Sequence, residues 1–263
     1  MLEPVASGEN NIPAVIPEMP FRKVQFGRVY DKLTPNSVID ITVMGHAKLV
    51  IDEENLGLEK VSRVSLNKQW ESQKDAWTKQ CKELGIVIDP FEVFTYYLIQ
   101  EKAFAILGLP DATKKTARDN MYKMHSEDGE PVKLSAMKGM AICSEYATLE
   151  TYIAQKIGEP AHLILGTLLD HDDENEWREP HMFTWIDGID AILEGTLARK
   201  GEWPALLRPL KPATLQTLEN GYDMECKRIE TDRTYIYGIN SGGFGASFAP
   251  NPPTSLQEAA KGL

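Results

Sequence analysis

Cysteine is scarce: Cys81, Cys143 and Cys226 are the three in 263 residues, widely separated and odd in number. That excludes a disulfide framework and predicts reduced thiols in a cytoplasmic compartment. Basic residues are also short, 28 Lys and Arg against 39 Asp and Glu for a net charge of −11. With no lysine or arginine cluster against that background, binding to nucleic acid phosphates is excluded as the main activity. Long apolar runs are missing too. The longest stretch, Phe91 to Leu107, is interrupted by Glu92, Gln100, Glu101 and Lys102, which excludes a membrane span and a membrane partner. The opening MLEPVASGENNIPAVIPEMP has an acid at position 3 and no early Lys or Arg, so it does not read as a signal peptide. Export by a signal-peptide-independent machine stays compatible with the same sequence. There is no internal repeat of 20 to 50 residues, which excludes a solenoid.

What is present is an ordinary globular composition, 42% hydrophobic and 25% charged. Residues 1–20, rich in Pro, Asn, Gly and Glu, read as a mobile arm, and 240–263 as a flexible tail. Residues 21–88 read as an N-terminal extension. Its first part, in VQFGRVY and SVIDITVMGHAKLVID, is rich in strand formers, and a helix follows over Asn67 to Leu84. Residues 89–239 read as the main core. There a helix opens on the pair Asp89-Pro90, and a mixed segment runs from Lys114 to Met137. Tyr146, Leu149, Ile153 and Ile157 then recur at helical spacing, which predicts a helix from Cys143 with Gly158 beyond its end. A strand over Ala161 to Leu169 follows, then the acidic loop DHDDENEWRE and two further strands.

Cys143 thus falls at a helix start, where the dipole and unpaired N–H groups favour a thiolate and supply donors to an oxyanion. A lone cysteine is otherwise simply a small buried residue, so a second signal is needed. It lies in EPHMFTWIDGIDAILEGT. Asp187-Gly188 between apolar residues predicts a two-residue type I′ turn, which sets Ile186 opposite Ile189 and His181 opposite Glu194. Glu194 can then orient the ring, whereas Asp187 lies on the order of 20 Å from His181 and Asp190 on the order of 13 Å. A surface His–Glu pair of no consequence is the plain alternative. The register matters because a slip by one residue reverses the faces.

A helix-start cysteine, a strand, and a hairpin carrying histidine opposite an acid make up a Cys-His-acid thiol site. The stretch CSEYATLETYIAQKIGEPAHLILG, with LEGT at 193 to 196, resembles the transglutaminase-like superfamily over about residues 90 to 197. The resemblance implies an α+β fold, with a papain-like core of helices packed on an antiparallel sheet. It implies Cys143 as nucleophile, His181 as general base and acid, and Glu194 as third member. The chain departs from the family pattern at Ala141 (commonly Gly), Phe183 (commonly Trp) and Glu194 (commonly Asp).

The implied activity is cleavage or transfer of an amide acyl group on a peptide or protein substrate through a Cys143 acyl-enzyme, with no cofactor or metal. Peptidase or amidase is the first reading. Transfer from a carrier thioester and a silent, protein-binding scaffold are the alternatives. Gln100, Tyr96 and Tyr97 are the side-chain candidates for the oxyanion hole. His171 with Asp170, Asp172, Asp173 and Glu174 reads as a solvated acidic loop. His46, His125 and His162 stand alone, Cys81 and Cys226 have no partner, and SGGFG at 241 to 245 lacks the lysine of a phosphate loop.

Overall fold

In Ala161–Asp170 apolar residues stand at successive positions, the pattern of a strand covered on both faces. In the computed structural model, which describes residues 22–24, 27–44, 46–109, 112–170 and 179–239, this strand is the hinge of the architecture. Leu163 and Leu165 pack into a core shared with the helices; Ile164 and Leu168 face a second core with Phe183, Trp185 and Tyr237. The expected arm 1–20, the tail 240–263 and the His171 loop lie outside the described residues.

The strands are β1 (Arg22–Val24), β2 (Gly27–Tyr30), β3 (Val38–Ile39), β4 (Leu49–Val50), β5 (Val132–Lys133), β6 (Ala161–Asp170), β7 (Glu179–Ile186), β8 (Ala191–Leu193), β9 (Leu206–Pro209), β10 (Met224–Arg228) and β11 (Thr234–Gly238). The helices are α1 (Glu53–Leu56), α2 (Arg63–Glu83), α3 (Pro90–Leu107), α4 (Lys115–Asp128), α5 (Cys143–Lys156) and α6 (Leu215–Glu219). Strands β6, β11, β10, β9, β8 and β7 pair in that order, all antiparallel, and β7 returns to β6. The chain is therefore α+β, and its antiparallel sheet closes into a six-stranded barrel. The other edge of β6 is divided between β2 at 163–165 and β11 at 167–170. Gly166 sits at the changeover, where a Cβ would overlap the Gly238 carbonyl oxygen.

The segment expected as an extension is tied into this core by β2 on β6 and by Trp70 and Trp77 of α2 against Phe94 of α3. A small sheet pairs β3 antiparallel and β5 parallel to β4. Local chemistry sets the helix starts. Ser62 and Ser65 cap α2 reciprocally, and Asp89 accepts the Phe91 N–H at 2.7 Å ahead of Pro90. No helix among the described residues is long and apolar enough to cross a membrane.

The β7–β8 hairpin departs from the type I′ expectation. Asp187–Ile189 form a 3-10 turn, Asp190 takes the left-handed corner at φ 46°, and Ile186 pairs with Ala191 rather than Ile189. The physical reason is that Asp187 is held: its Oδ1 accepts Trp185 Nε1–H at 2.9 Å and its Oδ2 faces His162 Nε2 at 2.8 Å. The register moves by two residues, which keeps every side chain on its expected face.

Candidate active site

Helix α5 is seated on β7 by polar contacts inside an apolar interface. Thr184 Oγ1 donates to the Ala147 carbonyl at 3.1 Å and lies 2.8 Å from Thr151 Oγ1. Three residues back along β7 is His181, and one turn back along α5 is Cys143, so the two elements bring them to the same end of the barrel. At the helix start Ile142 is extended, and Glu145 reaches back to accept the Ile142 N–H on Oε2 at 2.8 Å. The 3-10 turn Leu134–Met137 that precedes Cys143 in the chain is held by Asp52, just after β4, which accepts the N–H (3.0 Å) and hydroxyl of Ser135.

By alternation His181 shares a face with Phe183 and Trp185, at the barrel end where Tyr237 and Glu194 also meet. His181 Nε2 donates to Glu194 Oε2 at 2.6 Å, and Cys143 lies close enough to the ring to raise its pKa. Glu194 is enclosed by donors: Thr196 N–H at 3.1 Å and Thr196 Oγ1–H at 2.5 Å on Oε1, and Tyr237 O–H at 3.3 Å on Oε2. Its own N–H donates to Ala205 O at 3.0 Å. The site is buried: Cys143 is 8% exposed, His181 3% and Glu194 1%.

Burial alone disfavours the imidazolium, but the Glu194 charge and the Cys143 sulfur outweigh it and hold the ring well above the ordinary histidine range. Burial pushes Glu194 up, yet His181 and the Thr196 donors keep it below the ordinary carboxylate range. The arrangement is thus an imidazolium–carboxylate pair with the Cys143 sulfur nearby. Burial raises the Cys81 and Cys226 thiols, which disfavours their reactive thiolate forms.

The structure brings Cys143, His181 and Glu194 together and leaves the oxyanion candidates elsewhere. Helix α3 runs antiparallel to α5: Tyr96 O–H donates to Glu159 beyond the end of α5, and Phe104 meets Tyr146 edge to face near its start. Gln100 consequently lies by the middle of α5, where its Oε1 accepts Ala205 N–H at 2.8 Å, and Tyr97 packs on Trp77. Thr196 and Tyr237 were missed from sequence. Glu194-Gly195-Thr196 is a local carboxylate–hydroxyl spacing that signals the first, whereas Tyr237 arrives only through barrel closure.

Of the other histidines, His162 is gripped by Asp31 and Asp187 at 2.9 and 2.8 Å. It pairs with Trp185 of β7, about 13 Å along the strand from His181. His46 stacks on Tyr122 with ring centroids 4.6 Å apart, and His125 faces the Glu130 carbonyl. Among the described residues no group of three or more His, Cys, Asp or Glu is placed to hold a metal. A cavity of about 470 Å³ between α2, α3 and the far half of α5, floored by Ile153 and Ile157, shares no residue with the thiol site. No family model, curated protein or solved structure matches this chain.

Proposed function

We propose that the chain is a transglutaminase-like thiol enzyme with a papain-like arrangement, acting on amide bonds of a peptide or protein through an acyl-enzyme on Cys143. The observation that carries this reading is the buried group of Cys143, His181 and Glu194, with His181 Nε2 2.6 Å from Glu194 and Cys143 close enough to act on the same ring. In this reaction His181 already holds the proton as the imidazolium, and the Cys143 sulfur beside it attacks the amide carbon. The carbonyl oxygen becomes an oxyanion facing the Cys143 N–H, a first-turn donor without an intrahelical acceptor. His181 then protonates the amine as the C–N bond breaks, leaving a thioester. Water deprotonated by His181 releases the acid and restores the sulfur beside the imidazolium; an amine in place of water completes a transfer instead. Glu194 keeps the ring oriented and stabilises its charge throughout. Water needs no second pocket, which favours hydrolysis.

Iodoacetamide alkylation at pH 6.5, followed by peptide mass mapping, tests this. Cys143 is expected to label ahead of Cys81 and Cys226, and His181→Ala to slow it by about tenfold or more. Equal rates in the two proteins would remove the enzyme reading. A second reading, a silent scaffold that binds a protein, is favoured by the low exposure of Cys143 (8%) and His181 (3%). It predicts labelling no faster than free cysteine. An acyltransferase would instead show acylated Cys143 only with a thioester donor.

A further inference from the structure

Helix α5 carries another acid that the reaction above leaves unused. Glu150 is 1% exposed, and neither of its oxygens makes a hydrogen bond of good geometry. The polar groups facing it are the Gln100 side chain and the Gly195 N–H, with Glu194 acting on it as a charge. A Cβ on Gly195 would stand 2.6 Å from Glu150 Oε1 and 2.7 Å from Tyr146 Cβ, so the carboxyl lies directly against the Glu194–Thr196 turn. Gln100 joins the same layer: its Oε1 takes Ala205 N–H, and the Ala205 carbonyl takes Glu194 N–H.

We propose that Glu150 is a positioning residue that seats the Glu194–Gly195–Thr196 turn on α5 and so holds Glu194 against His181. The inference rests on the thiol-enzyme reading. Burial first, and the charge of Glu194 second, keep Glu150 protonated, so it offers the turn a neutral carboxylic acid rather than a second negative charge. A buried helix position occupied only for packing would take an apolar residue; here the carboxyl faces the Gly195 N–H and the Gln100 side chain, polar groups that an apolar side chain would leave bare.

The test compares Glu150→Gln, Glu150→Met and Glu150→Asp in the full chain, reading thermal midpoint and the Cys143 alkylation rate, with wild type and His181→Ala as references. Gln keeps length and neutral polarity and is expected to stay within about threefold of wild type. Met removes the polar contact and Asp withdraws it from Gly195, so each is expected to lose about tenfold or more while still melting cooperatively. Met or Asp within threefold of wild type would make Glu150 a filler, and a folded Gln variant as slow as Met would show that the polar contact is not what matters. Should Met fail to fold, Asp decides. If His181→Ala matches wild type, the thiol-enzyme reading itself has failed; if it does not and the Met or Asp variant stays fast, only the role of Glu150 has.

Discussion

Glu145 stands two residues beyond Cys143, fully buried, with one oxygen on the Ile142 N–H and the other without a partner. Burial pushes its carboxyl up to about 7 against the pull of that N–H and of Arg118. A folded value above the ordinary 4.5 means that the group costs nothing at low pH and progressively more as pH rises from 4.5 through 7, about 3 kcal/mol in all. Glu145→Gln keeps an acceptor for Ile142 without the charge. Its stability advantage over wild type, measured by urea unfolding, is expected to be small at pH 4.5 and to grow by about 3 kcal/mol by pH 8; a constant difference would show that Glu145 stays ionised throughout. At this scale the sequence was informative where chemistry is local. Cys143 was legible from helix period, and His181 and Glu194 from alternation around an Asp-Gly pair. Glu150 was not, because inside a helix its letter resembles any solvated glutamate, and only packing reveals what it faces.

At the scale of elements, α3 and α5 announced themselves through period and end signals, Asp89-Pro90 before one and Gly158 after the other. Register was harder. The Asp-Gly rule gave the right face but the wrong partner, since Asp187 is captured by Trp185 and His162, contacts that no local pattern displays. His181 and Glu194 still meet because a shift of two residues turns opposed neighbours into diagonal ones, within reach of long side chains. The same hairpin depends on Gly166, the residue of β6 paired with His181. A methyl group there would strike the Gly238 backbone, which has no rotamer to yield, just where β6 passes from β2 to β11. Gly166→Ala is therefore expected to cost about 2 kcal/mol or more and to slow Cys143 alkylation, whereas Gly129→Ala, with open space around its Cβ, pays only for its positive φ, about 1 kcal/mol. Comparable losses from the two in thermal and urea melts would rule out close approach as the reason for glycine at 166.

Barrel closure is a property of the whole chain, and it is what the sequence disclosed least. Tyr237 reaches Glu194 from 43 residues away, and β2 reaches β6 from more than 130, pairings fixed by three-dimensional packing rather than by neighbouring letters. The closed barrel is also what excludes water from the His181–Glu194 pair, and that enclosure links the pair to the stability of the molecule. Glu194 lies below the ordinary carboxylate value of 4.5 in the folded state, so its contribution is present above pH 4.5 and is lost as pH falls through its folded value. His181 lies well above 6.5, so its contribution is complete below pH 6.5 and is lost as pH rises toward its folded value. The two overlap fully between pH 4.5 and 6.5. Glu194→Gln leaves the ring without its counter-charge, and the stability difference from wild type is expected to reach about 3 kcal/mol across that window and to shrink on both sides. Because Glu145 is present in both proteins and does not feel the Glu194 charge, its own titration largely cancels in the difference. Urea unfolding of the two proteins between pH 4 and 9 measures that curve directly, and a difference that kept growing above pH 7 would mean that the ring is buried neutral and that Glu194 holds no imidazolium.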